Sequence, residues 1–266
     1  MPQTFPLITL LTDFGDRDWF VASMKGVILS INPQATIVDL SHHIPSHDLE
    51  SGAFVLHSCY RNFPHGTIHV AVVDPGVGGA RRPLLVSTDR YHFVAPDNGL
   101  LTYVLEEAEN AEIRVIENRR YLIEPLGRTF DGRDVFAPAA AWLAKGESPA
   151  SFGSSVADVV RIQLQAPSWD GQTVIGEVVY VDKFGNLITN VTRHHVEQVL
   201  KATGRPKCSV FLGEHRIHGL VTSYGEGSLD SPHALINSNG YLEVFFKEAD
   251  AASRLHVCRH EIVKLA

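Results

Sequence analysis

The chain has 266 residues, 44% of them hydrophobic and 20% charged, which is enough apolar material for a sizeable core in one large or two modest domains. A formal net charge of −7 leaves no basic stripe to neutralise phosphates, which argues against nucleic acid or an anionic membrane as partner. Three widely spaced cysteines (Cys59, Cys208, Cys258), no 18-residue apolar run and no basic signal-like start predict reduced thiols in a cytoplasmic protein.

In chain order, "LITLLTDF" (7–14) is an apolar run ending in polar residues, as a buried parallel strand does. "DWFVASMKGVILSINP" (18–33) has helical spacing and stops at Asn-Pro. "ATIVDLS" (35–41) reads as a second strand and "HDLESGAFVLHSCYRNF" (47–63) as a second helix. A third strand at 67–76, a hairpin-like pair at 83–89 and 91–99, and a helix at 100–108 complete a β-α-β rhythm. The acidic cluster at 106–112 reads as solvated surface. These elements predict an α/β domain with a mainly parallel sheet over 1–165, in which ligands sit beyond the carboxyl ends of strands. Asp13, Asp74 and Asp97 each follow a strand there.

From about residue 172 the rhythm changes to short β-like runs, ending with "HALINSNGYLEVFF" and "RLHVCRHEIVKLA", separated by Gly, Asn and Pro turns. One short helix near 192–202 interrupts them, so a smaller, mostly antiparallel β domain is expected over 172–266, with "LQAPSWDGQ" (164–172) as linker.

Several stretches carry candidate chemistry. In "VVDPGVGGARR" (72–82) a buried strand delivers Asp74 into a glycine-rich turn before Arg81 and Arg82. This is either a site or a tight turn with an Asp–Arg pair. Asp13 can accept hydrogen bonds from a vicinal diol, or it can cap a helix as Asp16 and Asp18 can. Asp97 and Asn98 in "APDNGLL" can cap or bind. In "YVDKFGNLITN" (180–190), Asp182, Phe184 and Asn186 surround one glycine, which suits a flat heterocycle or, equally, a β-turn with a core Phe. "INSNGYLEV" (236–244) reads as an Asn-Gly hairpin. In "TFDGRD" (129–134), Arg133 and Asp134 read as an ion pair and cap opening the helix "VFAPAAAWLA". The 14 histidines lack metal-ligand spacing, so no metal is expected.

Taken together, "TDFG", "MKGVILSINP", "IVDLSHHIP", "HVAVVDPGVG", "APDNGLL", "TFDGRDVFAPAAAWLA" and "DKFGNLITN" resemble one family in order and spacing. It is the S-adenosylmethionine (SAM) hydroxide adenosyltransferases, or SAM hydrolases, relatives of fluorinase and chlorinase; the resemblance runs from about 7 to 245. It implies a homotrimer whose nucleoside site lies between the first domain of one subunit and the second of its neighbour. It also implies that water or hydroxide attacks C5′ of the ribose and expels methionine, giving adenosine with no cofactor. Asp13 falls on the position that holds the ribose hydroxyls, and His47 stands where the halogenases carry a tryptophan over the ribose. Asp182, Phe184, Asn186 and Ser238 fall on methionine- and adenine-contacting positions, and Tyr224 on an aromatic that flanks adenine. Asp74 and Arg81 match two members of an Asp–Arg–His set around the attacking water, and Asp131 stands where the resemblance implies histidine. The expectation is therefore a pair of carboxylates, Asp74 and Asp131, moderated by Arg81, one of which acts on the water. A SAM or adenosine binding protein without turnover is the alternative. A SAM-dependent halogenase is opposed by both carboxylates, which would repel a halide.

Overall fold

A computed structural model describes residues 6–124 and 127–266. It divides into two compact units, residues 1–162 and 163–266.

In the first unit a six-stranded sheet has the order β2-β1-β3-β5-β4-β6. The strands are β1 (Leu7–Thr12), β2 (Thr36–Ser41), β3 (Ile68–Val72), β4 (Pro83–Ser87), β5 (His92–Pro96) and β6 (Glu112–Val115). β1 runs parallel to β2 and to β3, and β3 parallel to β5, whereas β4 pairs antiparallel with both β5 and β6. The sheet is thus mixed. The hairpin β4–β5 turns the chain back, and β6, which follows the acidic stretch and was not expected, extends that antiparallel edge.

The continuous apolar runs of β1 and β3 reflect burial on both faces. Ile8, Leu10, Val70 and Val72 enter one core with α1 (Phe20–Ile31) and α4 (Ala137–Ala144). The alternate residues Leu11, Ala71 and Val73 enter the other with α2 (Leu49–Cys59) and α3 (Thr102–Glu107). Asp48 caps α2 by accepting from Ser51 N at 3.1 Å. α1 is preceded by Trp19 with no side-chain cap, so neither Asp13 nor Asp16 nor Asp18 caps it. A π-helical turn, Gly132–Phe136, leads into α4, and Asp131 precedes it without capping. π turns of this kind occur often at functional sites.

The second unit is an antiparallel sheet, β11-β10-β14-β8-β9-β13-β12, with β7 (Ser168–Trp169) added against β8. Its main strands are β8 (Val174–Val181), β9 (Leu187–Thr192), β10 (Ser209–Leu212), β11 (His215–His218), β12 (His233–Ile236), β13 (Tyr241–Phe245) and β14 (Ile262–Leu265). The end strands β11 and β12 also touch, so the sheet nearly closes into a barrel. The expected linker therefore contains a short strand. Besides α5 (Arg193–Thr203) there is a second helix, α6 (Ala251–Leu255), which was not expected and lies almost wholly before the run "RLHVCRHEIVKLA". Asp250 caps α6 by accepting from Ser253 N at 2.8 Å. Among the described residues no helix is long and apolar enough to cross a membrane.

Candidate active site

Because β1, β3 and β5 are parallel, the residues just after them, Asp13, Asp74 and Asp97–Asn98, share one edge of the sheet. The loop leaving β3 carries Asp74 outward and brings Arg81 back before β4. The turn opening into α4 adds Asp131. Arg81 Nε lies 3.1 and 2.9 Å from the two Asp74 oxygens, and its Nη2 donates to Asp74 Oδ2 and to Asp131 Oδ2. The Asp74 side chain is 4% exposed and that of Asp131 17%. One guanidinium thus bridges two carboxylates, and the three together carry one net negative charge. Burial disfavours the charge on Arg81, but the hydrogen bonds and charges of both carboxylates outweigh it and hold its pKa above the ordinary value.

The two carboxylates are not equivalent. Both Asp74 oxygens are taken up by Arg81, whereas Asp131 uses Oδ2 alone, and its Oδ1 receives no hydrogen bond among the described residues. Both residues line a cavity of about 140 Å³ whose walls include Phe14, Phe20, Val72, Thr129 and Phe130. The three rings pack as a cluster, with centroids 5.2 to 6.0 Å apart. A Cβ on Gly132 would lie 3.0 Å from Phe130, 3.2 Å from Met24 and 3.3 Å from Phe14, so glycine lets the turn that holds Asp131 sit against this cluster. Arg133 and Asp134 form the expected ion pair, 2.7 Å from Nε to Oδ1, but Asp134 is buried inside the helix and caps nothing.

Asp13 is half-buried, and its Oδ2 accepts from His47 N at 2.9 Å, with His47 in the left-handed region at φ 67°. Two further bonds stitch this loop to the segment after β2: Thr12 Oγ1 with His42 Nδ1 at 2.8 Å, and Gly15 N to His42 O at 2.7 Å. Asn98 is engaged by the fold, donating to Val73 O at 2.8 Å and accepting from Leu100 N at 3.2 Å. Asp97, at the end of β5, is held by Arg82.

In the second unit Asp182, Phe184, Asn186 and Tyr224 line a cavity of about 690 Å³ together with Lys247, Glu248 and Asp250. Asp182 Oδ1 accepts from Phe184 N at 2.8 Å and Asn186 N at 2.9 Å, and Oδ2 accepts from Asn186 Nδ2 at 2.9 Å. Gly185, at φ +81°, closes this loop; a Cβ there would sit 2.1 Å from Asp250 Oδ1. Phe184 is 69% exposed, so it is not the core residue of a plain turn. Ser238 sits exposed in the turn between β12 and β13 and is not among the residues lining this cavity. Sequence reasoning missed Asp250, Glu248 and Lys247, which are far along the chain from "DKFGN". It also missed Glu243, whose only signal is a charge inside an apolar strand. Among the described residues no group of three or more His, Cys, Asp or Glu is placed to hold a metal ion.

Known proteins resemble this chain over both units. Residues 8–153 match the SAM hydroxide adenosyltransferase N-terminal domain and residues 176–264 the corresponding C-terminal domain. The (R)-S-adenosyl-L-methionine hydrolase of Methanocaldococcus jannaschii is 36% identical over 94% of this chain and 91% of its own length. The enzyme of that name from Thermus thermophilus is 34% identical over 93% and 94%. A fluorinase from an Actinoplanes species is 30% identical over 89% of each chain. An uncharacterised conserved protein from Thermotoga maritima, solved by crystallography, superposes with a TM-score of 0.90 at 33% identity, covering 97% of this chain and 99% of its own. With both units matched in order and relatives aligned over nearly their whole length, the chain belongs to the SAM hydroxide adenosyltransferase family.

Proposed function

We propose that the protein is an enzyme that hydrolyses S-adenosyl-L-methionine to adenosine and L-methionine. The observation that carries the reading is the Asp74–Arg81–Asp131 cluster in an aromatic-walled cavity. Asp131 Oδ1, which no group among the described residues hydrogen-bonds, takes a proton from a water molecule as its oxygen bonds to C5′ of the ribose. The C5′–S bond breaks, its electron pair stays on sulfur, and the sulfonium leaves as a neutral thioether, so neither a general acid nor a cofactor is required. Arg81 keeps Asp131 in place while Asp74 holds Arg81, which fixes the geometry of attack. An apolar wall favours this step because hydroxide character and sulfonium charge cancel in the transition state.

Asp13 is assigned to the ribose hydroxyls, with His47 over that sugar and Asn98 shaping the same sheet edge. Asp182, Phe184, Asn186 and Tyr224, which line one cavity, are assigned to adenine and methionine; for Ser238, outside that lining, the assignment rests on the family resemblance alone. Three cavity carboxylates (Asp182, Glu248, Asp250) against one lysine suit a cationic substrate and not a halide. The two sets act together if the first unit of one subunit meets the second unit of its neighbour in a homotrimer. Light scattering reads this directly, and a monomer in solution excludes the shared site.

The test is incubation with SAM in ¹⁸O-labelled water. Adenosine labelled in its 5′-hydroxyl, with unlabelled methionine, is the expected product pair. Tight SAM binding without adenosine would instead make the protein a binding module.

A further inference from the structure

Strand β13 is buried on both faces. Leu242 and Val244 enter the core of the second unit, while Glu243 and Phe245 point to the other face. Glu243 is only 2% exposed, and the residues paired with it across the sheet are Leu235 and Ile188. A carboxylate among such neighbours is not there for stability: burying it costs free energy that an apolar side chain would not. Its oxygens are nevertheless fully used. Oε1 accepts from the Tyr224 hydroxyl at 2.6 Å and Oε2 from Asn237 Nδ2 at 3.1 Å.

Tyr224 is the other half of the observation. It lines the 690 Å³ cavity and is 49% exposed as a residue, yet it is held at two points. Its hydroxyl is tied to Glu243, and its ring meets Phe245 edge-on with centroids 4.9 Å apart at 85°. A tyrosine has two side-chain torsions, and two such contacts fix both. Asn237 is fixed in turn, its Oδ1 accepting from Asn239 N at 3.0 Å and Tyr241 N at 3.1 Å, which joins Glu243 to the turn that carries Ser238. A half-exposed ring locked from beneath is prepaid in conformational entropy for a ligand laid against it.

We propose that Glu243 is a positioning residue: its buried carboxylate holds the Tyr224 ring, through the phenol hydroxyl, as a preformed wall for the adenosyl group. It touches no substrate. The inference rests on the reading that this cavity binds the adenosyl group, and it does not depend on turnover.

The experiment compares wild type with Glu243→Gln, Tyr224→Phe and the double variant. It measures Kd for adenosine by calorimetry, KM and kcat for SAM, and thermal stability. Glu243→Gln leaves at most a neutral bond and sets an amide N–H against one of the two donors, Tyr224→Phe removes the bond outright, and each, at nearly constant side-chain volume, is expected to raise Kd and KM about tenfold with kcat within about twofold. The double variant should lose no more than the weaker single variant, because both changes cut one link. Tyr224→Phe alters a half-exposed residue and keeps the proposal testable even if Glu243→Gln fails to fold. A fall in thermal stability with Kd unchanged, or losses that multiply in the double variant, would overturn it. If wild type binds adenosine but releases none from SAM, hydrolysis falls while Kd still decides the role of Glu243. If wild type binds neither compound, both readings fall.

Discussion

Replacing Asp131 by asparagine separates the chemistry from the architecture of the first unit. Arg81 keeps its three contacts to Asp74, and the new amide oxygen can still accept from Nη2, so one charge-assisted bond becomes a neutral one. That loss is about 1 kcal/mol, and it is offset in part because two carboxylates no longer share one guanidinium. The fold should therefore survive with a small change in melting temperature. The rate should not, because an amide cannot accept the water's proton. Loss of a general base costs about 10²- to 10⁴-fold, or roughly 3–5 kcal/mol of barrier. KM should stay near the wild-type value, since Asp131 acts on water and not on the adenosyl group. Asp131→His supplies the counterpart: an imidazole restores a base there, with a rate that falls on acidification near the ordinary histidine pKa of about 6.5. Adenosine formation followed by chromatography across pH, beside thermal melts, gives both quantities. A kcat for Asp131→Asn within threefold of wild type, with the same pH–rate profile, would refute the assignment and leave Asp131 structural.

Removing the cation instead, in Arg81→Met, strands two partly buried carboxylates and should cost about 3 kcal/mol in urea unfolding as well as activity; a loss under 1 kcal/mol would contradict the bridge. Gly185→Ala should lower the stability of the second unit by about 1–3 kcal/mol and weaken nucleoside binding, because φ is +81° and the new methyl overlaps Asp250; an unchanged melt would refute this. His69, fully buried between Phe93 and Tyr60, has its pKa lowered to about 3 by burial, with Nε2 lacking a partner among the described residues. The unfolded chain binds the proton more readily, so this contribution is present above about pH 6.5 and is lost as pH falls towards 3, roughly 2–3 kcal/mol by pH 4.5. His69→Phe should thus show a smaller drop in melting temperature between pH 7 and 4.5, and equal drops would contradict the cause given.

Much of this protein was legible before any coordinates. The two-sided apolar runs of β1 and β3, the amphipathic α1 and the Asn-Gly turn of the β12–β13 hairpin follow from local pattern, since side-chain period and turn chemistry are properties of a few adjacent residues. Motif order carried the family, and with it Asp74, Arg81, Asp131 and the "DKFGN" loop as candidates. What local pattern could not settle was pairing. β6 and the antiparallel edge depend on which strand lies beside β4, and α6 depends on a cap from Asp250. Asp16 and Asp18 looked like caps, yet the helix begins after them at Phe20, with Trp19 in the cap position. The sequence placed two carboxylates and an arginine at 74, 81 and 131 and determined their chemistry. Only the tertiary structure decided that one guanidinium spans both acids and leaves a single oxygen of Asp131 open among the described residues, because a hydrogen bond between residues 50 positions apart is set by the packing of the loop after β3 against the turn that leads into α4. Glu243 makes the same point from the other side. As a letter in "YLEVFF" it is an anomaly in a strand; only with Tyr224 folded onto it does a buried charge become a way of holding a ring in place.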